Sequence, residues 1–136
     1  MDNLDINKDT IRNLLIKSVH SDKIAIEFFK ANLNNKHLLQ ILKEIAIDDY
    51  SGDARMEASY YVSQFNNDLL YEIEKDLLIL QKDELDSIAC HAFIALAKIQ
   101  SKEGLQYLIH NRIKPELHWE GTALEYYFKQ LLANKD

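Results

Sequence analysis

Asp53-Ala54-Arg55-Met56-Glu57-Ala58-Ser59-Tyr60-Tyr61-Val62-Ser63-Gln64-Phe65 is the stretch on which the fold turns. Ala54, Ala58, Val62 and Phe65 lie four, four and three residues apart, which puts them on one face of a helix. Tyr60-Tyr61-Val62 has the composition of a strand. It sits inside the helical pattern, however, and no segment of the chain alternates with period two.

The same pattern returns twice. Ile88, Ala92, Leu96 and Ile99 repeat it at an offset of 34, and Trp119, Ala123 and Tyr127 match Ile88, Ala92 and Leu96 at an offset of 31. A leucine-rich segment precedes each copy: Leu38–Ile47, Leu69–Leu80 and Leu105–Ile109. The unit is therefore a helix A, a short polar link, and a helix B with small residues on its inner side.

Working outward, Asp9 or Thr10 caps a first helix built on Ile11, Leu14, Leu15 and Val19, and Ser21-Asp22 caps a second running to Leu33. Asn34-Asn35 interrupts before a third helix from Leu38 to Ile47. A loop at Asp48-Asp49-Tyr50-Ser51-Gly52 leads into the fourth. The fifth covers Leu69 to Leu80, the sixth Glu84 to Ile99, and Ser101 caps a seventh ending near Arg112. Pro115 opens the eighth in its first turn, where a missing N–H costs nothing. Eight helices with short connections predict antiparallel neighbours. The expected architecture is all-α, a right-handed stack of antiparallel helical hairpins. It forms one domain over 1–136, with an atypical hairpin or cap at 1–34 and repeat-like pairs at 35–67, 68–100 and 101–136.

Asp53-Ala-Arg-Met-Glu-Ala58 resembles the start of the second helix of a HEAT repeat, which sets Asp, an apolar residue, Arg and Ala at this spacing. Ala89 and Glu120 stand where the later copies would carry the Arg. The resemblance covers roughly 36–133 and implies a short α-solenoid.

Composition excludes several classes. Gly occurs 3 times and Pro once, too few for a turn-rich β fold. Cys90 is the only cysteine, so no disulfide can form within the chain, and a reducing cytoplasmic setting is expected. Met1-Asp2-Asn3-Leu4-Asp5 lacks the basic start of a secretion signal, and no apolar run approaches a membrane span. The net charge is −6, concentrated in residues 51–100 with 4 basic and 9 acidic side chains. That balance opposes nucleic acid and either favours a basic partner or simply keeps the protein soluble, and no membrane partner is expected.

No catalytic motif emerges. His20, His37, His91, His110 and His118 form no ligand spacing, and Gly52, Gly104 and Gly121 are isolated, so neither a metal site nor a phosphate loop is indicated. Cys90 and His91 are neighbours on one helix and diverge by about 100°, poor geometry for a nucleophile and its base. The expectation is a non-enzyme with no cofactor, in which Cys90 is a small packed side chain.

Helical phase leaves a polar strip on the B helices opposite the inner faces. It comprises Asp53, Glu57, Tyr60 and Gln64, then Ser87, His91 and Lys98, then His118, Thr122, Glu125 and Lys129, with Met56 beside Tyr60. The strip is either the solvated face of an amphipathic array or a protein-binding surface. The loop residues Asp48, Asp49 and Tyr50 add a second acidic candidate, readable as a hairpin turn with caps or as a mimic of a phosphate backbone.

In size, acidity and architecture the chain resembles HEAT-like bacterial immunity proteins of polymorphic-toxin and contact-dependent growth inhibition systems. That resemblance implies binding and neutralisation of a cognate basic toxin domain, possibly a nuclease, by covering its active site. A helical-repeat scaffold that docks a peptide or partner helix is the alternative.

Overall fold

The computed structural model describes residues 6–112. Every regular element among them is helical: α1 Lys8–Val19, α2 Lys23–Ala31, α3 Lys36–Ile47, α4 Gly52–Gln64, α5 Asn67–Glu72, α6 Glu74–Leu80, α7 Asp86–Lys98, α8 Lys102–Tyr107 and a π-helical turn at Leu108–Arg112. The expected all-α class holds for these residues. The eighth sequence helix, from Pro115, and the third copy of the repeat lie outside them. The chain divides into two compact units, Met1–Leu69 and Leu70–Asp136. The division falls two residues beyond the expected hairpin boundary at 67/68.

The first unit is built on α4. Helix α3 packs against it, and so does α1, which also touches α2 and α3. This double cover explains why α4 buries Ala54, Ala58, Ser59, Tyr61, Val62 and Ser63, an arc too wide for a simple amphipathic helix. The two serines enter the interior because each hydroxyl donates to a carbonyl one turn back, Ser59 to Met56 O at 2.7 Å and Ser63 to Tyr60 O at 2.6 Å. Phe29 of α2 is fully buried and stacks on Tyr61 with ring centroids 4.5 Å apart. The first hairpin therefore supplies core to the unit and is more than a terminal cap.

Arg55 accounts for the residue pattern that resembled a HEAT repeat. Its Nε donates to Ala46 O at 3.0 Å, satisfying one of the carbonyls left over at the C-terminal end of α3. One side chain thus fastens the start of helix B to the end of helix A.

In the second unit α6 packs on α7, and α7 on α8. Leu70, Ile73, Leu77, Leu80, Ile88, Ala92, Phe93, Leu96 and Ile99 are buried there. The two complete copies of the repeat agree position by position. Ala54, Ala58, Val62 and Phe65, and likewise Ile88, Ala92, Leu96 and Ile99, are all 3 % exposed or less.

Several boundaries differ from expectation. Asn7, not Asp9 or Thr10, caps α1, its side chain accepting from Thr10 N at 2.9 Å. Asp22 and Ser101 cap α2 and α8 as the sequence indicates, Asn35 of the interrupting pair proves to cap α3, and Ser51 caps α4. The single fifth helix is two, α5 and α6, broken at Ile73 with φ −114 and ψ 23. Neither Gly nor Pro marks the break, and nothing local accounts for it. Ile73 is 2 % exposed, so the break keeps it in the core. Helix α7 starts two residues later than expected. Asp83 Oδ1 accepts from Leu85 N at 2.9 Å and holds a turn there instead.

Two three-residue connections share one design. After α1, Ser21 adopts φ 66, with Ser21 N donating to Ser18 O and Asp22 N to Lys17 O. After α7, Gln100 adopts φ 56, with Gln100 N donating to Ala97 O and Ser101 N to Leu96 O. Both are Schellman closures, and in each the next residue is already the N-cap of the following helix. Glycine usually fills the left-handed position because a Cβ is strained there. Replacing Gln100 by Gly should therefore stabilise the protein by about 1 kcal/mol, read as a higher melting midpoint, and Ser21→Gly should act in the same direction.

Candidate functional site

The link between α3 and α4 is the most developed polar feature of the first unit. Asp48 closes α3 in an extended conformation and Ser51 opens α4 in another. Asp48 is exposed, Asp49 points inward with a side chain 1 % accessible, and Tyr50 is 84 % exposed.

Asp49 meets Arg12 of α1. The guanidinium donates through Nε to both carboxylate oxygens, at 2.9 and 3.1 Å, and its second terminal nitrogen lies 2.8 Å from Oδ1. Ser51 N adds a hydrogen bond to Oδ2 at 3.0 Å. The remaining arm of Arg12 reaches Asp9 at 2.7 Å. Burial by itself would raise the Asp49 carboxyl, but Arg12 and the Ser51 N–H outweigh it and hold the group below its ordinary value. Arg12 in turn is raised, first by its hydrogen bonds to Asp49 and Asp9.

Tyr50 completes the arrangement. Arg12 Cζ lies 4.6 Å from its ring centroid, a cation–π contact that orients an otherwise exposed aromatic. Asp9 in the first turn of α1, Asp48 in the link and Asp53 in the first turn of α4 are all exposed. Arg12 donates to Asp9 as well as to Asp49, and Lys8 adds a further favourable charge near Asp49.

The other expected site residues separate by geometry. On α4, Asp53 and Gln64 are exposed, whereas Met56, Glu57 and Tyr60 are half-buried. Glu57 turns toward α1 and accepts from Ser18 Oγ at 2.6 Å. Ser18 has one proton and gives it to Glu57, so the 2.7 Å contact with Tyr61 is a donation from the tyrosine. Glu57 thus ends a buried chain Tyr61–Ser18–Glu57. Burial pushes the Tyr61 hydroxyl up. Tyr60 packs edge-on against Tyr61 at 5.1 Å.

Ser87, His91 and Lys98 lie on α7 in the second unit. Ser87 is exposed, while His91 and Lys98 are half-buried, and burial lowers the pKa of both. His118, Thr122, Glu125 and Lys129 fall outside the described residues. Sequence phase alone did not single out Arg12, although Arg12 determines which way the acidic link faces. Its signal was faint: one of three arginines, on the polar side of the first helix.

Among the described residues no group of three or more His, Cys, Asp or Glu is placed to hold a metal ion. None of the described helices is long and apolar enough to cross a membrane. Cys90 is half-buried and its thiol is pushed up to about 11 by burial. No protein-family model, characterised protein or solved structure matches the chain.

Two measurements check this picture. Arg12→Met leaves Asp49 charged and buried without its partner, and should cost about 3 kcal/mol of unfolding free energy in urea titrations. Asp49→Leu in the same chain should recover most of that loss. Because the native Asp49 pKa is depressed, its stabilisation is present above the unfolded carboxylate value near 4 and disappears as pH falls through the native value. The double variant should therefore lose less stability on acidification than the wild type. Separately, native Cys90 at pH 8 should react with a disulfide reagent roughly 100-fold more slowly than in urea, since thiolate is the reactive form.

Proposed function

We propose that the protein is a non-enzymatic binding protein of the immunity type, which neutralises a basic toxin domain by covering its active site. The observation that carries this reading is Tyr50. A tyrosine 84 % exposed would ordinarily sample many rotamers, yet Arg12 holds this one from one side. Its flanking residue Asp48 and nearby Asp9 and Asp53 are exposed carboxylates. An oriented aromatic inside an acidic rim combines a hot-spot side chain of low entropy cost with charges that speed encounter with a basic surface. The net charge of −6 acts in the same direction over longer range.

Such inhibition requires no chemistry from this chain, only a stable surface. The Arg12–Asp49 pair fixes the link in place, leaving Asp48 and Tyr50 as the contacts. Within the same reading the protein works in the cytoplasm, where a toxin's target would be exposed.

The test is association with the basic toxin domain encoded in the neighbouring reading frame, measured by calorimetry at several salt concentrations. Affinity should fall steeply as salt rises. Tyr50→Ala should weaken binding on the order of 30-fold, as expected of a hot spot of about 2 kcal/mol. Asp48→Asn with Asp53→Asn should flatten the salt dependence through the association rate. Absence of any salt-sensitive association at low ionic strength would sink the proposal.

A further inference from the structure

The second unit contains a cleft of about 360 Å³ between the end of α6, helix α8 and the π-helical turn. Its volume is at the low end of the roughly 300–1,000 Å³ typical of ligand sites. Its lining is unlike an apolar groove, since Leu78 is the one aliphatic side chain in it. Three carboxamide residues are on its lining, Gln81, Gln106 and Asn111, the last also donating from Nδ2 to Tyr107 O at 3.2 Å.

Gln81 is the unusual member. It is 2 % exposed, and its Oε1 has no hydrogen-bond partner. A buried acceptor without a donor is a cost that native interiors nearly always avoid. Lys82 lies over the Tyr107 ring at 5.7 Å, and Phe93 stacks on that ring at 6.2 Å. The cleft wall at Tyr107 is thereby braced. Lys82 and Glu103, both on the lining, carry opposite charges, so the cleft selects no ligand by sign.

We propose that this cleft binds an extended peptide segment through its main chain. A carboxamide presents one acceptor and one donor group at the spacing of a peptide bond, so it can pair with a peptide group on both sides. An approaching backbone N–H supplies the donor that Gln81 Oε1 lacks. The three carboxamides together match a strand that repeats donor and acceptor along its length, whereas a lone anion would leave the Gln81 Oε1 acceptor without a donor and an apolar group would pair with none of them. This site is independent of the Tyr50 link, on a different unit of the chain.

The full chain, labelled with ¹⁵N, is titrated with a blocked tetra-alanine peptide, which offers main-chain groups and no charge. The side-chain NH₂ signals of Gln81, Gln106 and Asn111 should shift and saturate in the millimolar range. Glycerol, offering hydroxyls alone, should leave them in place. Gln81→Met should weaken the peptide roughly tenfold or more while its melting midpoint stays equal or rises, because a buried acceptor without a partner has been removed. Gln106→Ala, at an exposed position, should weaken binding without disturbing the fold and serves if Gln81→Met does not fold. No saturable shift, an equal response to glycerol, or unchanged binding by both variants would overturn the proposal. Asp48→Asn and Tyr50→Ala should leave the titration unaltered, which separates its failure from failure of the toxin-binding reading.

Discussion

Asp49 cannot face inward from the α3–α4 link unless a cation meets it there. The carboxylate is all but removed from water, and isolated burial of such a charge is far too costly to persist. Arg12 answers with a two-pronged contact from α1, and Ser51 N–H adds a third donor from the start of α4. Three helices thereby share one electrostatic knot. It fixes where α1 lies along α4, and that placement brings Ser18 to Glu57 and Tyr61, and the α2 aromatic Phe29 into contact with Tyr61. A buried pair of this kind contributes little net stability compared with an apolar replacement, but removing one member is costly. Its contribution is to specify a single arrangement of the helices.

How far the sequence could be read follows from which physics is local. Apolar spacing located the helices, and the repeat register at Ala54/Ile88, Ala58/Ala92, Val62/Leu96 and Phe65/Ile99 marked core positions in both units, because burial imposes the period directly. Caps with short polar side chains, such as Asp22 and Ser101, were equally legible, since donor and acceptor lie three residues apart. The break at Ile73 was not legible. It depends on what Ile73 packs against, and no residue there forbids a continuous helix. The inward turn of Asp49 was hidden for the same reason. Its partner is 37 residues away, and Asp48, Asp49 and Asp53 are alike until Arg12 selects one. Glu57 shows the complementary error. A single-helix phase diagram assigns it to solvent, but α1 occupies that side.

The two units reach their polar surfaces in different ways. In the first, carboxylates and a tyrosine project from a braced link, and the chemistry is charge plus one aromatic. In the second, amide groups line a concavity and the charges on it cancel. Surfaces so unlike do not compete for the same kind of contact. One chain therefore carries a charged polar face and a charge-balanced one, each resting on its own core.

The alternation of inward and outward side chains along the α3–α4 link has a consequence for how such a protein can change over time. Along Asp48-Asp49-Tyr50-Ser51 the fold depends on the second and fourth side chains, the ion-pair partner and the helix cap, and makes little use of the first and third. Mutational drift at positions 48 and 50 is therefore nearly uncoupled from stability. The closures at Ser21-Asp22 and Gln100-Ser101 have no such slack, because every residue there ends one helix or begins the next. Variation is channelled into two outward positions, 48 and 50, on a rigid frame, while the rest of the link stays under packing constraint.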